Sequence, residues 1–295
     1  MELRHLRSFL AVAREQSISG AARVLHITQP SLSRQIMDLE EEMGARLFER
    51  GSRKITLTAQ GLLLRKRAGQ IMELVQKTQE EVSAPEELDG VIRIGAGETR
   101  AFSTLAVVLN GLTAEHPSVR HELFSGNADD VMERLDKGLL DFGVFIEPHD
   151  VTRYDYLRLP HADRWGVLMR RDSPLAERSS VRPEDLRDVP LTVSRQSLEG
   201  GQLASWLAAV PGEPRLAGSY NLLFNAALMA ESGAGCVLCL EGIVRITEDG
   251  PLRFRPLEPA LTSHVDLVWN KNQLFSKPSE LFLSRVRAAI GAGTL

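Results

Sequence analysis

Apolar residues over the first stretch of the chain recur at intervals of three and four. Leu3, Leu6, Leu10 and Ala13, widened by Phe9 and Val12, predict a first helix. Ser17 is placed to cap a second, short helix whose Ala21, Ala22 and Leu25 face inward. Thr28 is placed to cap a third. Pro30 falls in its first turn, where a missing N–H costs nothing. Leu32, Ile36, Leu39 and Met43 form one apolar stripe, and Gly44 supplies a left-handed stop. In Arg46–Leu57 two short apolar pieces flank a Gly/Ser turn rich in cations, the pattern of a β-wing. A long helix follows from Thr58. Leu57, Gly61, Leu64, Ala68, Ile71, Val75, Thr78 and Val82 alternate steps of four and three, which is a coiled-coil seam with small or polar members. The same stripe also fits a helix docked on its own domain. The unbroken register favours self-association, with Leu57, Leu64, Ala68, Ile71, Val75 and Val82 as the dimerisation seam.

Pro85–Gly90 reads as a linker. Beyond it short apolar runs alternate with helical stretches, the mark of an α/β sheet. Strands are predicted at Val91–Gly95, Val119–Phe124, Asp141–Ile146, Gly166–Met169, Leu191–Val193, Arg215–Gly218 and Cys236–Leu240. Helices are predicted at Ser103–Glu115, from an Asn127 cap to Lys137, and at Glu199–Ala209, Leu222–Glu231 and Pro278–Ala289.

With 295 residues the chain can bury two or three separate cores, and 43% hydrophobic with 25% charged residues is ordinary for a globular protein. No apolar run reaches the ~18 residues of a membrane span. The start, Met1-Glu2-Leu3-Arg4-His5, lacks the apolar run of a secretory signal, so the cytoplasm is the expected location and no membrane partner is expected. The net charge of −4 is uneven. Residues 1–82 hold thirteen Lys/Arg against ten Asp/Glu, leaving 22 against 29 of the chain's 35 and 39 for the rest. A mildly basic head on an acidic body suits a nucleic-acid reader.

Cys236 and Cys239 spell C-x-x-C, but in a predicted strand side chains three apart point to opposite faces. A disulfide or shared metal does not fit that geometry, and tetrahedral zinc would need a second pair. They read as buried structural thiols. Seven histidines are scattered without H-E-x-x-H spacing, and no G-x-S-x-G elbow occurs. No catalytic residue, metal site or cofactor is therefore expected. Gly95-Ala-Gly-Glu-Thr-Arg100 shares G-x-G with dinucleotide loops, but Arg100 replaces the third glycine.

Phe9-Leu10-Ala11-Val12-Ala13, Ala21-Ala22, Leu25–Ile36, Leu39-Glu40, Gly44, Leu47–Arg50 and Leu57-Thr58-x-x-Gly61 together resemble the helix-turn-helix of LysR-type transcriptional regulators. Gly20 departs from the pattern, standing where a side chain is usual. The resemblance implies an α+β multidomain chain in three parts. Residues 1–58 would form an N-terminal winged helix-turn-helix, and 59–89 a long linker (dimerisation) helix and hinge. Residues 90–295 would form a C-terminal, two-lobed α/β effector domain of the periplasmic-binding-protein kind, lobe I being 90–161 with 266–295 and lobe II 162–265. Crossovers are expected near 160–166 and 262–267. A secreted solute binder would share that second domain but would carry a signal peptide and no basic helical head.

With its apolar stripe buried, the third helix presents Gln29, Ser31, Arg34, Gln35 and Asp38 outward. Gln pairs with the adenine edge, Arg with guanine, Ser with bases or phosphate. The expected DNA-binding set is Thr28, Gln29, Pro30, Ser31, Ser33, Arg34 and Gln35, with Arg50, Arg53 and Lys54 of the wing holding phosphates or entering the minor groove. The plain alternative is that Arg34 and Gln35 are solvated surface residues.

In doubly wound sheets ligands sit beyond the carboxyl ends of strands. That rule selects Thr99, Arg100, Ser103, Asn127, Phe145 and Glu147 on one lobe, and Ser194, Gln196, Ser197 and Asn221 on the other. The resemblance places effectors commonly at positions matching Thr99 and Ser103. Arg100 or Arg195 would suit an anion, whereas Glu98 and Glu147 argue for an amine or for internal pairing. The plain reading is that the hydroxyls cap helices. The expected partners are double-stranded DNA at a pseudo-palindromic operator, a small-molecule effector, a second copy of the chain as homodimer or homotetramer, and RNA polymerase. Effector binding would alter how the assembled chains bend DNA.

Overall fold

The computed structural model describes residues 1–50, 54–82, 88–147, 149, 152–198 and 201–293, the side chains of Arg50, Glu80 and Glu81 excepted. The chain divides into two compact units, Met1–Ser83 and Ala84–Leu295.

The first unit opens with α1 (Leu3–Glu15), α2 (Ile18–Val24) and α3 (Gln29–Met43). Ser17 Oγ accepts from Gly20 N–H, and Thr28 Oγ1 accepts from Ser31 N–H at 3.4 Å, so both predicted caps form. Gly44 ends α3 at φ +61°, a conformation that costs a β-carbon but not glycine. Leu6, Phe9, Val12, Ala21, Leu32, Ile36 and Leu39 close the core, each 5% exposed or less. Burying a leucine of this kind contributes about 1.5–3 kcal/mol. Met43, predicted inside, is 39% exposed because the helix stops one residue later.

Two short strands, β1 (Phe48–Arg50) and β2 (Ile55–Leu57), pair antiparallel with Phe48 opposite Leu57. Residues 51–53 at their tip lie outside the described set. Glu40 anchors this ribbon, accepting from Leu47 N–H at 2.7 Å and from Phe48 N–H at 3.2 Å. Thr58 caps α4 (Ala59–Val82), accepting from Gly61 N–H while donating to the Arg46 carbonyl. Ala68 is fully buried against the helix-turn-helix core, joined there by Leu57, Leu64 and Ile71. All four belong to the predicted dimer seam, and Leu57 of β2 with Leu64, Ala68 and Ile71 of α4 pack on the core of their own unit. Val75 is half-buried and Val82 is exposed.

The second unit holds two sheets. In the first, β3 (Gly90–Ala96), β4 (Val119–Ser125), β5 (Phe142–Ile146), β6 (Tyr154–Arg158) and β13 (Val265–Asn270) run in the order β4-β3-β5-β13-β6. β4, β3 and β5 are mutually parallel, and β13 is antiparallel to both neighbours. One face packs on α5 (Phe102–Glu115) and the C-terminal α10 (Lys277–Gly291), the other on α6 (Ala128–Asp136).

In the second sheet β7 (Asp163–Arg170), β8 (Leu191–Ser194), β9 (Leu216–Tyr220), β10 (Cys236–Leu240) and β11 (Leu252–Pro256) run β11-β7-β10-β8-β9, and β12 (Thr262–Ser263) adds to β7. α8 (Gly201–Leu207), beyond the single turn α7 (Arg195–Leu198), lies on one face and α9 (Leu223–Glu231) on the other. The chain passes between sheets at Leu159–Ala162 and again at Ser263–His264. Cys236 and Cys239 join the cores on opposite faces of this sheet, and burial raises their thiols to about 11 and about 12.

Candidate nucleic-acid interface and ligand cleft

On α3 the burial pattern separates two faces. Leu32, Ile36 and Leu39 are sealed, whereas Thr28, Gln29, Pro30, Ser31, Arg34 and Asp38 are exposed and Ser33 is half-buried. Arg34 makes no hydrogen bond or ion pair with the described residues, so its guanidinium is presented to whatever lies outside. Gln35 differs: its Oε1 accepts from Ser8 Oγ of α1, leaving only its amide N–H2 to face outward. On the ribbon, Lys54 is exposed; Arg53 and the Arg50 side chain lie outside the described set. The arrangement is a helix with base-pairing side chains on the outer face, held at a fixed angle by caps, core and a cationic ribbon.

In the second unit a cleft opens between the two sheets. It is lined from one side by Gly97, Glu98, Gly126, Asn127, Ile146 and Glu147, and from the other by Trp165, Ser194, Gln196, Ser197, Tyr220, Asn221, Leu223, Leu240 and Ile243. Cavities of about 100, 400 and 320 Å³ adjoin along it, room for a small molecule. Asn127, Glu147, Ser194, Gln196, Ser197 and Asn221 are thus gathered at one place. The chain brings them there because β3, β4 and β5 end on one side of the sheet, and β8 and β9 end facing them.

The remaining four selected residues lie elsewhere. Phe145 is 1% exposed, packed against His149 and Tyr154 on the α6 side of the sheet. Strand alternation sends its neighbour Ile146 to the cleft instead. Thr99 donates to the Asp163 carboxylate and accepts from Ala101 N–H, so its hydroxyl ties α5 to the first crossover. Arg100 and Ser103 line a separate hollow of about 580 Å³ with His161, Arg164 and Gly242. Asp163 accepts also from the Arg100 and Ala101 amides; burial nonetheless pushes its carboxyl above the ordinary carboxylate value. Gly95 of the G-x-G run is a packing residue: a β-carbon there would stand 2.5 Å from Leu140 Cδ1.

Glu98, weighed in the sequence for an amine or for internal pairing, takes an internal partner, and one further polar group, around Asp266, went unrecognised. Glu98 reaches across the cleft to accept from Leu223 N–H at the start of α9, whose own cap residue offers no side chain. At the floor Asp266, 1% exposed, binds His149 Nε2 at 3.1 Å and Arg158 Nε at 3.0 Å. Arg158 also reaches Glu147, whose other oxygen accepts from His264 N–H. Burial raises the Asp266 carboxyl, but the His149 and Arg158 hydrogen bonds and the Arg158 charge together hold it below the usual carboxylate range. A carboxylate inside the apolar run Val-Asp-Leu-Val-Trp was the available signal. Tyr220, half-buried beside the cleft, has its phenol raised well above normal, chiefly by desolvation, with Cys239 and then Glu98 adding to it.

An exposed reading helix in one unit and a closed-ended ligand cleft in the other describe a DNA-binding regulator that senses a small molecule. The family described as bacterial regulatory helix-turn-helix protein, lysR family, matches residues 3–62, and the LysR substrate binding domain matches residues 85–291. The chain belongs to the LysR family of DNA-binding transcriptional regulators, with the effector-binding domain of that family. It is 31% identical over 280 residues to the Hca operon transcriptional activator HcaR of Escherichia coli K12, covering 93% of each chain. It is 37% identical over 210 residues to the regulator IlvY of the same organism, covering 70% of each. The crystal structure of full-length CbnR complexed with its target DNA matches with a TM-score of 0.77 at 21% identity, covering 98% of this chain and 100% of that one.

Proposed function

We propose that α3 lies in the major groove and reads base edges through Gln29, Ser31 and Arg34, while Lys54 of the ribbon holds a phosphate. The observation that carries this reading is the division of α3 into a sealed apolar face and an exposed face bearing an unpaired Arg34. Binding in trans to a pseudo-palindromic operator requires two copies. The outer face of α4 supports self-association: Leu63 and Leu74, 62 and 42% exposed, lie eleven residues, about three turns, apart on one face. The effector binds between the lobes at Asn127, Gln196, Ser197 and Asn221, and shifts the arrangement of the assembled chains and the bend of the DNA. RNA polymerase is the downstream partner, and the cytoplasm the site of action. No helix among the described residues is long and apolar enough to cross a membrane. That CbnR was crystallised on its target DNA supports the groove assignment.

The test is fluorescence anisotropy with duplex spanning the region upstream of the gene. Arg34→Ala should cost about 1–3 kcal/mol of specific binding and blur base preference. Lys54→Ala should weaken all sequences alike and lower the salt slope by about 0.9. Unchanged operator affinity with Arg34→Ala would remove α3's outer face as the reader. Sedimentation of the full chain, with Leu63→Glu as the disrupting variant, tests the paired α4 helices.

A further inference from the structure

We infer that the cleft selects a small cationic effector, a primary amine carried on an apolar body, and that Glu98 is the residue that specifies it. The inference rests on the reading of the cleft as the effector site and adds the charge of the ligand.

The described lining residues include three carboxylates, Glu98, Glu147 and Asp129, and one guanidinium, Arg195, exposed at the mouth. His149, at the deep end, is held by Asp266. Glu147 is compensated by Arg158, at 2.5 Å, and by the His264 amide. Asp129 sits in the first turn of α6, where the aligned amides offset its charge. Among the described residues, Glu98 has neither a cation nor a helix start of its own to offset it. Its Oε2 accepts from Leu223 N–H of the opposite lobe, and its Oε1 takes no hydrogen bond from any described residue.

A carboxylate half-buried in a cleft and lacking a counter-charge favours a ligand that brings one. An ammonium group beside Oε1 would complete the missing pair with a charge-assisted hydrogen bond, in a place where water is partly excluded. A carboxylate ligand meets the reverse situation. The first amide of α9 is already occupied by Glu98, and an amide of the first turn of α6 by the Asn127 side chain. An acid entering the cleft would therefore find one amide of each of these two helix starts already engaged and a like charge beside it. Opposite these polar groups Ile146, Trp165, Leu240 and Ile243 form an apolar wall. The Trp165 ring is fixed there by its Nε1–H bond to Ser263 Oγ at 2.9 Å. The site thus offers one anionic corner and one greasy side, the complement of an alkyl- or arylamine.

The experiment uses the full chain at low ionic strength and three matched pairs of probes: butylamine and butyrate, benzylamine and benzoate, putrescine and succinate. Thermal shift finds the binders and calorimetric titration gives Kd. At least one amine should stabilise the protein saturably while its matched acid does not. Glu98→Gln, which keeps a carbonyl for Leu223 N–H, should weaken that amine about tenfold, the difference between a charge-assisted and a neutral hydrogen bond. Absence of a saturable shift with all three amines, or amine binding indifferent to Glu98→Gln, overturns the proposal. Acids that bind and are lost with Arg195→Gln would also overturn it, and would leave the effector cleft standing with the opposite charge preference. A probe whose affinity responds to neither Glu98→Gln nor Gln196→Ala binds elsewhere, which would remove the cleft reading itself.

Discussion

Gly61→Ala sets two opposed effects against each other within one helix turn. In an isolated helix alanine is favoured over glycine by about 1 kcal/mol, since glycine loses more backbone freedom on folding. Here, however, a β-carbon on residue 61 would stand 2.1 Å from the Leu47 carbonyl oxygen and 3.0 Å from Leu57 Cδ2. The oxygen cannot swing aside cheaply. It accepts from Thr58 N–H at 3.0 Å, and the Leu47 amide is itself held by Glu40. Overpacking against fixed backbone costs about 1–3 kcal/mol and exceeds the propensity gain. The expected net loss is up to about 2 kcal/mol for the Met1–Ser83 unit. Gly20→Ala is the paired control: its β-carbon would meet Ser17 Cβ and Oγ at 3.4 Å, ordinary contact, so about 0.5–1 kcal/mol should be gained. Hydrogen exchange of the α1–α3 amides reads this unit separately from the other. Protection in Gly61→Ala equal to or above wild type would refute the claim that α4 docks by close backbone approach.

Asp266→Asn should destabilise the first sheet of the second unit by about 1–3 kcal/mol, because His149 and Arg158 lose the buried negative charge and one of its two acceptor oxygens. Since the folded Asp266 carboxyl is depressed, its contribution is complete above the unfolded value of about 3.9 and is lost as pH falls through the folded one. Denaturant titrations below about pH 4 should therefore show a shallower acid decline for the variant; equal slopes would sink the ion-pair account. Native protein should show no thiol reactive toward Ellman's reagent, and two after unfolding, because Cys236 and Cys239 are 5% and 2% exposed with raised thiols. Reaction of one thiol in the native state would contradict their placement in separate cores.

The parts of the structure governed by local rules were legible. Caps at Ser17, Thr28 and Asn127 form where hydroxyl or amide side chains precede an apolar stripe. Gly44 stops α3, and the cysteines fall on opposite sheet faces because strand periodicity is two. The strands β6, β11 and β13 were not legible as such. They owe their state to long-range pairing, and β6, with Tyr154 buried and Asp155 and Tyr156 exposed, lacks a clean alternation. At the cleft, the rule about strand ends found Asn127, Glu147, Ser194, Gln196, Ser197 and Asn221 but overreached at Phe145, one residue out of phase. Thr99 and Ser103 stand at the right strand end, yet the Asp163 carboxylate draws Thr99 toward the crossover and Ser103, second residue of α5, faces the hollow beside Arg100 and His161.

The long helix shows why a heptad alone underdetermines its partner. Steps of four and three place one stripe along a helix, and the stripe carries no label for the surface it covers. Leu64, Ala68 and Ile71 are small or branched residues on one side of α4, and the nearest apolar surface is the core formed by α1–α3 of the same chain, which Leu57 of β2 also joins. Ala68 decides the matter. A residue that short is sealed only when another surface comes within a few ångströms of the helix backbone, and Gly61 one coil earlier makes the same demand against Leu47. Small residues in a seam therefore mark close docking on whatever is covalently at hand. The larger exposed leucines on the other side, Leu62, Leu63 and Leu74, are what remains for a second copy. A dimer built on that outer face would leave the inner stripe untouched, so Leu63→Glu and Gly61→Ala should separate association from folding on one and the same helix.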